Sequence, residues 1–190
     1  MRIKDIQKQE AIIFATVELV NEIGFVASSV SKIAKRANVS PATLYIYYKN
    51  KEDLLISTYV EIKKKLSTAM LKNFDESKPF RDILFKVWLN SFEFIKKNRS
   101  LYQYSEQFSN SPFTDLVNHD DLEEHFEPLF KVLQKGIDQK VIKDVPFEIL
   151  TAFIFYPVMN LSNPKLCRNL NFNKEIVEKA FTLAWDAIKL

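Results

Sequence analysis

Apolar residues near the start of the chain recur at three and four residue steps, the spacing that gathers side chains on one face of a helix. Ile6, Ile13, Val17 and Val20 form such a row, widened by Ile12, Leu19 and Ile23, and Gly24 ends it as a C-terminal glycine should. The pattern predicts a short second helix after Ser28 and Ser29, which offer its N-cap, with Ile33 and Ala37 on one face. It breaks at Asn38, the best substitute for glycine in the left-handed backbone region. Ser40 before Pro41 signals a third start, because the serine oxygen accepts an orphan N–H and proline has none to waste. That helix is expected over 41–49. Asn50 caps a fourth, with Glu52 and Asp53 in its first turn and Leu55, Tyr59, Ile62, Leu66 and Met70 as its apolar row.

Beyond this fourth helix, which is long enough to join two domains, Pro79 opens an aromatic helix, PFRDILFKVWLNSFEFIKKN, and RSLYQYSEQF reads as a shorter one. SNSPFTDLVNHDD is rich in turn formers, and the helical segment after it is expected to kink at Pro128. Segments 146–160 and 173–190 are apolar around most of their circumference. No alternating strand pattern occurs. The chain is therefore expected to be all-α, with about nine helices. A three-helix helix-turn-helix domain is placed at 1–50 and a larger helical domain at 51–190. With only Gly24 and Gly136 in 190 residues, folds built on tight strand turns or phosphate-cradling loops are disfavoured, since those backbones demand positive φ.

The third helix carries the candidate chemistry. If Leu44 points inward, an advance of 100° per residue puts Tyr48 only about 40° away, also inward. Ala42 and Ile46 then face outward, Thr43 and Tyr45 flank them, and Tyr47 lies nearer the core. The outward pair suits thymine methyl groups, and the surrounding hydroxyls suit phosphates. Charge agrees with this reading. Residues 1–51 carry eight Lys or Arg against four acids, while the remainder carries nineteen against twenty. No acid falls between Glu22 and Glu52, where five basic residues do. The candidate DNA contacts are Ser28, Ser29, Lys32, Ser40, Pro41, Ala42, Thr43, Tyr45, Ile46, Tyr47 and Lys51, with Lys35 or Arg36 near further phosphates and Arg2 and Lys4 as an N-terminal arm. No Arg, Asn or Gln sits on the exposed face of this helix, so bidentate reading of guanine or adenine is not expected there.

GFVASSVSKIAKRANVSPATLYIYYKNKEDLL, residues 24–55, resembles without a gap the DNA-binding signature of TetR/AcrR-type bacterial transcriptional regulators. The match includes Ile33-Ala34, Val39-Ser40, Thr43-Leu44-Tyr45, Tyr47-Tyr48 and Lys51-Glu52-Asp53-Leu54. Asn38 departs from the usual glycine of the turn, and Pro41-Ala42 occupies a variable base-reading pair. The resemblance implies a homodimer on a palindromic DNA operator, with a C-terminal domain whose small-molecule effector shifts the protein away from its DNA-binding form.

In that domain, density of aromatics marks Trp88, Phe92, Tyr102, Glu106, Phe108, Phe126, Phe130 and Tyr156 as candidate effector contacts, the carboxylate serving a cationic ligand. Segments 146–160 and 173–190 are expected to form the dimer interface, with Leu150, Ile154, Val158, Ala180, Ala184 and Ile188 available for it. No metal or cofactor is expected. His119 and His125 lie beside Asp120, Asp121, Glu123 and Glu124, but an acidic helix start explains that cluster. No phosphate loop, activated serine or thiol with a base appears, so an enzyme is not expected. A helical carrier of small molecules or lipids is the alternative, and it leaves the acid-free basic segment idle. The longest charge-free stretch, 149–164, falls short of the roughly 20 apolar residues a membrane span needs. The charged start MRIKDIQKQE and the single Cys167 fit a cytoplasmic protein.

Overall fold

The computed structural model describes residues 5–163, 166–167 and 171–190, with the backbone alone for His119 and Asp121. In chain order its helices are α1 (Ile6–Ala27), α2 (Val30–Arg36), α3 (Pro41–Tyr47), α4 (Lys51–Met70), α5 (Phe80–Lys97), α6 (Arg99–Ser109), α7 (His119–Asp138), α8 (Phe147–Ile154), α9 (Tyr156–Leu161) and α10 (Lys174–Ile188), with a 3-10 turn at Pro112–Leu116 before α7. Among the described residues no strand forms. One antiparallel bridge pairs Ile142 with Lys189.

The helices begin and end for local reasons. Gly24 takes φ 77° and ψ 170°, a region essentially closed to side chains, and this breaks the regular winding of α1 three residues before its nominal end. Asn38 is left-handed at φ 54° between α2 and α3. The Ser40 hydroxyl accepts from the Thr43 N–H at 3.1 Å, as a cap ahead of Pro41 should. At α4, Asn50 Oδ1 accepts from the Asp53 N–H at 2.7 Å while Asp53 Oδ2 accepts from the Lys49 N–H at 2.8 Å, a reciprocal arrangement that fixes the start of the helix. The 146–160 segment, expected as one helix, is broken: Phe155 leaves regular geometry and Pro157, which lacks an N–H, stands in the first turn of α9. Counted as one bent helix, α8 and α9 bring the helices among the described residues to nine, against about nine expected. α7 continues through Pro128, where a kink was expected.

Packing gathers the chain into two units. One compact unit joins the residues up to Lys63 with Arg99–His119, and the other joins Lys64–Asn98 with Asp120–Leu190. In the first unit Ile12, Ala15, Leu19, Ile33, Ala34, Leu44, Tyr48 and Leu54 form one core, fringed by Val30, Ala37, Val39 and Tyr47. α6 belongs to this unit through chemistry as well as packing. The Tyr104 hydroxyl donates to the Leu55 carbonyl at 2.9 Å, Phe108 stacks on Tyr59 at 4.3 Å between centroids, and Asn21 Nδ2 donates to the Ser100 carbonyl at 2.9 Å.

Two phenols are sealed in that unit. Burial pushes the Tyr48 phenol up to about 12 and raises that of Tyr104 as well. The unfolded chain ionises near the ordinary tyrosine value of about 10, so above that pH it sheds protons that the folded unit retains. Stability is thus fully present below about pH 10 and falls as pH rises toward 12. Apart from the nearby Gln9 side chain, the Tyr48 hydroxyl meets no hydrogen-bond partner among the described residues, which is costly for a buried polar atom. Tyr48→Phe is expected to leave stability unchanged or raise it by about 1 kcal/mol and to shrink the alkaline loss. Urea unfolding followed at pH 7 and pH 11 checks both; a clear loss of stability at pH 7 contradicts the first.

The second unit centres on Trp88, Leu133, Ile154 and Phe181, all fully or almost fully buried. Trp88 Nε1 donates to the Ile154 carbonyl at 2.9 Å. Asn90 Nδ2 caps the end of α4, donating to the Met70 and Lys72 carbonyls at 3.0 and 2.8 Å. A Cβ at Gly136 would lie 2.5 Å from the Phe80 ring, so a larger residue there forces that ring to move. Leu150, Ile154, Val158, Ala184 and Ile188, expected at a dimer interface, are instead buried within their own unit. The apolar side chains left outside on these helices are Ile149, Phe153, Tyr156 and Leu183.

Candidate nucleic-acid interface

α2 and α3 meet through a tight turn in which the Val39 N–H donates to the Ala34 carbonyl at 2.9 Å, and Leu44 and Tyr48 anchor the second helix in the core at 0% and 3% exposure. The opposite side of α3 is bare: Pro41 and Ala42 are exposed, Tyr45 is 55% exposed and Ile46 47%. This is the phase expected from the sequence. Thr43 is half-buried, and its hydroxyl lies 2.9 Å from that of Ser40. Ser29 is exposed and caps α2, accepting from the Lys32 N–H at 3.3 Å.

Three of the expected contacts are placed differently. Ser28 is sealed at 0% exposure, its hydroxyl donating to the Gly24 carbonyl at 2.7 Å; it secures the turn after α1 and is out of reach of a duplex. Tyr47 turns back toward the chain start, with its hydroxyl 3.1 Å from the Asp5 nitrogen and 3.2 Å from the Asp5 carbonyl. Arg36 is engaged by α1: it donates to both carboxylate oxygens of Glu22, at 2.5 and 2.7 Å, with Glu18 at 4.0 Å. These hydrogen bonds hold the Glu22 carboxyl below its usual value and raise the Arg36 guanidinium. Arg2 and Lys4 lie outside the described residues. Lys32 and Lys51 converge on one turn, donating to the Ala27 and Val26 carbonyls at 3.1 and 3.3 Å. Lys35 and Lys49 are exposed.

The expected effector residues are scattered. Tyr102 and Glu106 bond one another at 2.7 Å on α6, and Phe108 is fully buried in the first unit. In the second unit Trp88 is core, Phe130 packs 5.7 Å from Phe147, Phe126 is half-buried and Tyr156 is 58% exposed. Phe92 alone among the expected residues lines a cleft of about 640 Å³ between α5 and the start of α10, together with Phe85, Leu89, Phe172 and Val177. Sequence reasoning missed those partners, although Lys96-Lys97 at the end of an aromatic helix was a visible signal. Around His125 the described side chains gather no group of three that would hold a metal; those of His119 and Asp121 lie outside the description. Among the described residues no helix is long and apolar enough to cross a membrane.

Two short helices joined by a tight turn, the second anchored on one side and bare on the other, define a helix-turn-helix protein. Residues 12–58 match the bacterial regulatory proteins of the tetR family, and residues 79–189 match the family described as tetracyclin repressor-like, C-terminal domain. The chain belongs to the TetR family of transcriptional regulators. A TetR family transcription regulator from Marinobacter aquaeolei VT8 is 35% identical, with a TM-score of 0.88 over 100% of this chain and 99% of its own. The fatty acid metabolism regulator protein of Bacillus subtilis is 33% identical over 72% of each chain. The Bacillus subtilis regulator FadR, solved in complex with stearoyl-CoA, shares the fold at 24% identity and a TM-score of 0.73 over 94% of this chain and 98% of its own.

Proposed function

We propose that this chain is a cytoplasmic repressor that binds a palindromic operator as a homodimer and is released when a small molecule occupies its C-terminal domain. The observation that carries the reading is the bare face of α3, where Ala42, Tyr45 and Ile46 stand outward while Leu44 and Tyr48 fix the helix from behind. Ala42 and Ile46 offer methyl groups to thymines, Tyr45 and Thr43 offer hydroxyls to phosphates, and Ser29, Ser40, Lys32 and Lys51 flank them. Exposed Ile149, Phe153, Tyr156 and Leu183 on α8 to α10 supply the self-complementary surface, with the two reading helices about 34 Å apart, or a multiple of it, over the two half-sites.

The fatty acid metabolism regulator among its relatives supports an apolar effector. Effector and operator then weaken one another by one coupling free energy, typically about 1–3 kcal/mol. The reading includes no catalytic step. Duplexes selected from a random pool, titrated at rising salt, test it. Affinity is expected to fall by about 10³-fold or more between 50 and 200 mM salt if some six phosphates are contacted, and the recovered sequence should be a palindrome. A small-molecule carrier would bind no duplex at any salt.

A further inference from the structure

The cleft between α5 and α10 has a polarity that an apolar ligand alone does not explain. Its floor is Phe92, 4% exposed and parallel to the buried Trp88 ring at 6.1 Å between centroids. Its mouth is different: Lys96, Lys97 and Lys174 all line it, against one carboxylate, Glu93. Lys96 stands 5.9 Å from the centre of the Phe92 ring, and among the described residues Lys174 meets Glu178 only at 3.9 Å. α10 also begins at this mouth, through Asn173 and Lys174, and a helix start favours negative charge. The volume, about 640 Å³, lies within the range of small-molecule sites, about 300–1,000 Å³.

We infer that this cleft is the effector site and that it takes a small amphipathic anion, an alkyl or acyl chain lying on Phe85, Leu89 and Phe92 with its carboxylate or phosphate held by Lys96, Lys97 and Lys174. The inference rests on the reading of the chain as effector-controlled and adds the ligand's charge and seat. The plain alternative is that Lys96 and Lys97 merely complement the C-terminal end of α5, a role that shifts melting temperature and no ligand preference.

The test needs no DNA, so its failure is separate from failure of the operator reading. Dodecanoate, dodecyl phosphate and dodecanol, below their aggregation concentrations, are titrated calorimetrically into the full chain. At least one anion is expected to bind about tenfold or more tighter than the alcohol, the worth of a charge-assisted hydrogen bond. The variant Lys96→Gln/Lys97→Gln/Lys174→Gln is expected to lose that preference while keeping its dodecanol affinity, and the Lys→Arg triple variant to retain it. All three lysines are on the surface, and circular dichroism verifies that both variants fold. Equal binding of anion and alcohol, absence of saturable anion binding, or an anion preference that survives the glutamine variant overturns the proposal.

Discussion

Ile46→Asp is expected to abolish operator binding while leaving the helices intact. The side chain is 47% exposed on the bare face of α3, so little burial is lost and stability should change by no more than about 0.5 kcal/mol. On a duplex the same change removes an apolar contact worth about 1–3 kcal/mol and sets a carboxylate among phosphates. Together these predict a loss of about 100-fold or more, read by fluorescence anisotropy on a labelled operator. Binding within about threefold of the parent chain would show that α3 does not enter the groove.

Two residues earlier the outcome reverses. Leu44 is 0% exposed in the core that joins α1 to α4, and Leu44→Ala should cost about 2–5 kcal/mol. Thermal melting and urea unfolding report it directly. Operator binding falls too, but through the unfolded fraction, so a stabilising osmolyte restores it, whereas it does not rescue Ile46→Asp. Opposite faces of one helix thus separate a contact from a scaffold, and a stability change of only a few tenths of a kcal/mol in Leu44→Ala would dismiss the packing described for this unit.

Much of this was legible in the residues because local rules decided it. The phase of α3 follows from 100° per residue; Asn38 and Gly24 were needed where φ is positive, and Ser40 and Asn50 were needed as caps. What was not legible depended on a choice between equivalent local options. Ser28 and Ser29 can each cap a helix, and tertiary packing buried the first and left the second to cap. Arg36 had no acid nearby in sequence, yet α2 lies where Glu22 of α1 reaches it. Helix α8 is apolar nearly all round, so pattern alone could not say that Leu150 and Ile154 face inward and Ile149 and Phe153 outward. The aromatic run over α5 and α6 reads as one cluster, but Tyr102 and Phe108 pack with the first unit and Phe92 with the second. Only contacts far apart in the chain could make that division.

The grip of Tyr47 on Asp5 is also a tether. The hydroxyl at the end of the outward helix holds the first described residue ahead of α1, so the entry into α1 and the flank of α3 are tied together.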